Sequence, residues 1–401
     1  MNDYTPITGV GNSGDFVLNS QEIAKDQGFN HVSKLWYDKT KSFEDGLEQL
    51  EDSRGMREDL LVKLRDINFS VSQQGKFVVG YGDREFVPTD HAMTQLVMKA
   101  VGRGTSYASH LRGGKLDKYG ESVYKSDSGD AEALSVMVNN GVRRIDNSKK
   151  YRLRTYTDGT LRAFLTEKYA EIDNRWYLEL LSNIIPNGRL SHWRGDADTV
   201  YGNVLIPDTI REESDSDYGG MISIGNCEIG KRRISQIPSL FRAICMNGCI
   251  WDQAQGMGIK KVHLGKIDLE ELATKIRINI EAQIPLLPDG IERFLGIRSM
   301  ECGEAKVKQV VAAISINNKF HSKEATEILT QWVQHERDDR NLFGIVNAVT
   351  RAGQEFDNEK WVKFDEIGGR LATMGDKQWD KLVTSAATID EDDLAKVYAI
   401  N

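Results

Sequence analysis

The run YRLRTYTDGTLRAFL, residues 151–165, places Asp158-Gly159 between two segments that alternate apolar and polar side chains. An Asp-Gly pair in that position is the strongest short-range signal for a tight antiparallel hairpin, because glycine accepts the positive φ that such turns need. Working outward, INFSVSQ (67–73), KFVVGYG (76–82) and REFVPT (84–89) read as a small meander turning at Gln74-Gly75 and Gly82-Asp83. Downstream, TVYGNVLIP (199–207) and GMISIGNCEIG (220–230) read as further strands.

Helical spacing surrounds these strands. Phe43, Leu47 and Leu50, then Leu60, Leu61 and Leu64, predict two opening helices behind Ser42 and Ser53 as caps. Thr89 caps a helix through Met93, Leu96, Val97 and Val101; Gly102 to Gly114 reads as a loop, and residues 130–138 as the next helix. Residues 171–185 are helical up to Pro186, and SLFRAICM (239–246) reads as a short helix before a Gly-rich stretch ending at Gly265. From Leu269 no strand signal appears, and residues 267–401 read as five to seven helices. The expected fold class is therefore α+β, an antiparallel sheet core with flanking helices plus an all-helical C-terminal region. The expected divisions are an N-terminal helical segment 1–66, an α+β core 67–266 and an independent helical unit 267–401.

A chain of 401 residues, 40% hydrophobic and 28% charged, is long enough for two or three structural units and is not of disordered, collagenous or coiled-coil type. No apolar stretch approaches the roughly 18 residues of a membrane span, and MNDYTPITGVGNSG lacks the charged and apolar regions of a signal peptide. A cytoplasmic protein without membrane association is expected, and its four cysteines are expected to be reduced thiols. The formal net charge of −8 hides an asymmetry: residues 97–175 and 221–266 each carry +5, whereas 1–96, 176–220 and 267–401 carry −6, −5 and −7. Basic blocks inside an acidic chain point to a polyanionic partner.

Three enzyme-like patterns lose to plainer readings. Gly9, Gly11 and Gly14 have dinucleotide-binding spacing but no strand before them. Gly225 to Lys231 has phosphate-loop spacing after a strand, yet Arg232 stands where magnesium chemistry needs Ser or Thr, so a strand, a Gly turn and a basic strand start are expected. Cys227, Cys245, Cys249 and His263 are conceivable zinc ligands, but Cys245 and Cys249 are read as core residues on one face of a short helix. No nucleophile elbow or H-E-x-x-H pattern occurs, so no catalytic residue, metal or cofactor is assigned.

The chemistry-bearing pattern is cations interleaved with aromatics. Arg143, Arg144, Lys149, Lys150, Arg152 and Arg154 face only Asp146 in opposition, and Arg162 lies on the second hairpin strand. On a strand, Arg152, Arg154 and Tyr156 share one face, giving phosphate-neutralising charges beside a ring on which a base can stack. A second block comprises Lys231, Arg232, Arg233, Lys260 and Lys261, with Arg242 and Lys266 nearby. The alternative for either block is a solvated face.

Three ordered stretches, LRAFLTEKYAEIDN (161–174), ISIGNCEIGKRRISQIPSLFRAICMNGCIW (222–251) and KKVHLGK (260–266), resemble the phage/plasmid-like protein family, a domain of unknown function numbered nine-thirty-two. The resemblance lies in Arg162-Ala163 with Tyr169 and Ile172-Asp173-Asn174, in Asn226, Glu228 and Gly230, and in Arg242, Cys245, Asn247 and Gly248. It implies a bacteriophage or related mobile-element origin, a bacterial host cytoplasm, and a relation to cofactor-free, homo-oligomeric phage single-strand annealing proteins. The expected function is single-stranded DNA binding or annealing in recombination or replication. The alternative is a self-assembling structural or host-takeover protein without DNA activity.

Overall fold

The computed structural model describes residues 39–54, 57–102, 105, 108, 111, 130–196, 198–213, 216–242, 247–250, 259–356 and 358–398. Gly9, Gly11, Gly14 and Cys245 lie outside the described residues.

Two lobes follow from how the strands pair. Helix α1 (Phe43–Arg54) is followed by β1 (Arg57–Lys63), β2 (Ile67–Val71), β3 (Phe77–Tyr81) and β4 (Arg84–Pro88), then by α2 (Asp90–Ala100) and α3 (Ala131–Val142). The hairpin is β5 (Lys150–Tyr156) and β6 (Thr160–Thr166), and Gly159 takes φ +80° at its turn. These strands form a six-stranded sheet in the order β1-β5-β6-β4-β3-β2, antiparallel except for the β4–β6 pair. Thr89 caps α2 by accepting from the Ala92 amide at 3.4 Å. Helices α2 and α3 cover one face of the sheet, and Leu96, Val97, Leu134, Leu153 and Phe164 are buried in the core between them.

The second lobe includes α1, whose Phe43 and Leu50 join its core, and resumes with α4 (Asn174–Ile184), whose cap Asp173 accepts from the Arg175 and Trp176 amides. Strands β7 (Arg189–Gly195), β8 (Thr199–Leu205), β9 (Arg211–Glu212), β10 (Asp217–Cys227), β11 (Ile234–Arg242), β12 (Asn247–Ile250) and β13 (Ile259–Lys261) then build a seven-stranded sheet. Its main path is β12-β11-β10-β8-β7, with β9 on β10 and β13 on β11. Eight helices complete the described chain: α5 (Leu269–Gln283), α6 (Leu287–Gly296), α7 (Val307–Asn318), α8 (Ser322–His335), α9 (Leu342–Gly353), α10 (Asn358–Ala372), α11 (Asp376–Ala387) and α12 (Glu391–Tyr398). No described helix is long and apolar enough to cross a membrane.

The α+β class, the meander and the hairpin match expectation; eight C-terminal helices stand where five to seven were expected, and four further readings change. Residues 60–63 are strand β1, because Leu60 to Lys63 pair with Leu153 to Lys150 and thereby extend the hairpin sheet. The N-terminal segment is thus not wholly helical; the division at residue 66 cuts a sheet. Residues 239–242 continue β11, pairing with Met221 to Tyr218, so the helix read at 239–246 is not formed there. Thr105, Ala108 and Leu111 are helical within the segment read as loop, and Ala108 and Leu111 join the first core. Finally, the C-terminal helices are no independent unit: Ile222, Ile224 and Leu240 of the second sheet belong to one continuous apolar core with Leu287, Phe343 and Ile345.

Candidate functional site

The hairpin cations turn inward. Arg154 is 0% exposed, where its Nε donates to Asp59 Oδ1 at 2.8 Å and its Nη2 to Asp59 Oδ2 at 2.7 Å and Glu171 Oε1 at 2.9 Å. Its Nη1 donates to the Glu228 carbonyl, and Arg57 pairs with the Glu228 carboxylate. Arg152 bonds Glu171 at 2.6 Å. Tyr156 is 2% exposed, its hydroxyl donating to Asp198 at 2.7 Å, with the Arg162 guanidinium 3.7 Å above its ring. Arg162 also meets Asp158 at 3.2 Å and Asp198 at 3.4 Å. The expected open face of Arg152, Arg154, Tyr156 and Arg162 therefore does not exist. Glu228 comes from the turn after β10 and Glu171 from the segment before α4, so this face is the seam between the lobes, and buried guanidinium groups need those carboxylates.

Electrostatics within the seam divide unevenly. Burial works against an ionised Asp59, but the hydrogen bonds from Arg154 and Glu171 outweigh it and hold its carboxyl below the usual range. Glu171 is pushed the other way, up, by burial and by its bond to Asp59. Burial pushes Glu228 up to about 7 despite Arg57 and Arg154.

Beside this seam lies a cavity of about 630 Å³ lined by Lys99 of α2, by Lys231, Arg232 and Arg233 of the β10–β11 turn, by His263, and by Glu366 of α10. Its apolar lining is Leu165, Ile237, Val262, Leu264 and Val362. The β11–β13 register sets Lys260 opposite Ser235 and Lys261 opposite Ile234, so the backbone brings the second block together around this turn. Arg242, at the far end of β11, is instead buried against Glu336 at 3.0 Å.

The exposed part of the first block is linked to the cavity lining through its backbone neighbours. Lys150 opens β5 next to Tyr151, whose register partner Thr166 lines the cavity. Arg143 and Arg144 follow Gly141, where an added Cβ would lie 2.5 Å from the carbonyl oxygen of Ala100, the neighbour of Lys99. Arg143, Arg144, Lys149 and Lys150 are all exposed, as are Lys231, Arg233 and Lys261, whereas Arg232 is half-buried.

The phosphate-loop spacing is explained locally. Gly230 takes φ +79°, and the turn folds back so that the amides of Arg232, Lys231 and Ile229 bond the Cys227 sulfur. Those donors are spent on a thiol that burial pushes up, so the loop offers cationic side chains and not a backbone cradle. Across the cavity, Tyr169 donates its hydroxyl to the Cys227 carbonyl at 3.0 Å and stacks on His263 at 5.2 Å. His263 Nδ1 lies 3.2 Å from the Ala170 carbonyl, which only accepts, so Nδ1 carries the hydrogen. Burial lowers His263 to about 4, leaving a neutral ring whose covered Nε2 has no partner. Backbone bonds from Ala170 to His263 and from Gly265 to Lys168 fasten this strap to the segment after β6.

Sequence reasoning missed Lys99, Tyr169, His263 and Glu366 as cavity residues. Only His263, buried between exposed Val262 and Leu264 in KKVHLGK, carried a local signal. Among the described residues no group of three or more His, Cys, Asp or Glu is placed to hold a metal ion. No protein-family model matches the chain, and no curated protein or solved structure is significantly similar to it.

Proposed function

We propose that this protein binds single-stranded nucleic acid without a cofactor, as a phage-type accessory of DNA recombination or replication. The strand lies along the basic end of the two lobes and not on the hairpin. One observation carries this reading: the cavity has Lys99, Lys231, Arg232 and Arg233 in its lining, and Glu366 is the one carboxylate among the described residues that line it. Arg143, Arg144, Lys149, Lys150 and Lys261 supply further exposed cations. Such clustering neutralises a phosphate backbone locally, which allows an acidic protein to hold a polyanion. The phage setting rests on the resemblance in residues 161–174, 222–251 and 260–266.

The test is fluorescence anisotropy of a labelled oligothymidylate across a salt series. Affinity should fall steeply with salt, and K231E/R233E should weaken binding by roughly tenfold and reduce the logarithmic slope by about 1.4, two phosphates at about 0.7 each. Salt-insensitive or absent binding by the wild-type chain overturns the proposal and favours the self-assembling alternative.

A further inference from the structure

The charge in the cavity is mismatched to the interior of a strand. The lining side chains Lys99, Lys231, Arg232 and Arg233 give four positive charges against one negative on Glu366, a formal excess of three. An internal phosphodiester brings one negative charge, whereas a phosphomonoester brings about 1.5 to 2 at neutral pH. Burial lowers the pKa of Lys99, so this ammonium has lost water that an anion would replace.

The remaining wall has a different chemistry. Val262 is 51% and Leu264 61% exposed, large apolar side chains held beside a cationic turn with Leu165 and Val362 across the same space. A concave site of this volume, within the 300–1,000 Å³ range usual for small ligands, that sets cations and the neutral polar Gln95, Thr166, Tyr169 and Ser235 beside apolar side chains suits a molecule with a charged head and a flat, weakly polar body.

We propose that this cavity seats a nucleotide bearing a phosphomonoester, the monoester on Lys99 and Lys231 to Arg233 and the base against Val262 and Leu264. The nucleotide is the phosphorylated end of a bound strand, so the protein discriminates ends; in that respect the inference rests on the strand-binding reading above. A free nucleoside monophosphate has the same chemistry and is distinguished by experiment.

The full chain is titrated with labelled oligonucleotides that differ only in carrying a 5′-phosphate, a 3′-phosphate or hydroxyls at both ends, and each complex is challenged with adenosine 5′-monophosphate. One phosphorylated end should bind about tenfold more tightly than the hydroxyl-ended strand, the scale of a charge-assisted contact. The mononucleotide should abolish that preference. Arg232→Gln should remove the preference, and Leu264→Asp, at an exposed position, should remove competition by the mononucleotide in a protein that still folds by circular dichroism. Equal affinity for all three strands without competition overturns the cavity and leaves strand binding on the exposed cations intact. Binding of the mononucleotide without any strand overturns the strand reading and the role in end discrimination, and leaves a mononucleotide site. Binding of neither overturns both.

Discussion

Two arginine-rich segments of this chain, 152–162 on the hairpin and 231–233 on the β10–β11 turn, are alike in composition and opposite in use. Arg152, Arg154 and Arg162 meet Asp59, Glu171, Asp158 and Asp198, and Arg154 is fully buried. Lys231 and Arg233 are exposed, and among the described residues their cavity contains one carboxylate. The difference lies in where the counter-charges fold. Asp59 reaches Arg154 from 95 residues away and Glu228 from 74. Cation density alone therefore marks neither a binding face nor a buried seam.

The largest expected effect is at Arg154. Arg154→Ala leaves Asp59, Glu171 and Glu228 short of a buried partner and should cost about 3–5 kcal/mol in urea denaturation. Arg233→Ala should stay within about 0.5 kcal/mol. Similar costs at the two positions would refute the contrast.

The next effect, at Glu228, is read in a pH series. Glu228 rises from 4.5 to about 7, so the folded chain holds that proton more tightly than the unfolded one. Its stabilising contribution is full below about 4.5 and lost as pH rises through about 7. Glu228→Gln removes this titration, so wild-type stability relative to the variant should decline across that window and level off above it. A difference constant with pH would mean that Arg57 and Arg154 keep Glu228 ionised throughout.

The smallest effect belongs to the turn itself. Gly230→Ala places a Cβ on a residue at φ +79°, 3.2 Å from Gln95 Nε2 and Leu165 Cδ2. It should cost about 1–2 kcal/mol and weaken strand binding with it. Full stability with unchanged affinity would show that the turn geometry does not position Lys231 to Arg233.

Local chemistry explains what was legible. Asp158-Gly159 and Thr89 act within a few residues of themselves, and the hairpin and α2 stand where they point. Leu60, Leu61 and Leu64 mislead because their spacing suits a helix, while the decisive contacts of β1 are with β5, about ninety residues on. SLFR reads as helical in isolation but pairs with residues 218–221 in β10. The cavity draws on α2, β6, the β10–β11 turn, the strap at 262–264 and α10, and no window of sequence contains more than two of these.

Helices α1 and α4 pack together, tied by Arg175 and Glu51, while Lys41 pairs with Leu190 of β7. The chain thus leaves the second lobe and re-enters it at neighbouring points, which makes residues 57–166 an insertion in a host fold. A splice that removed it would leave in place every residue that pairs in the second sheet. What such a splice cannot preserve is the cavity, since Lys99, Gln95, Leu165 and Thr166 all arrive with the inserted segment. The site is a property of the graft.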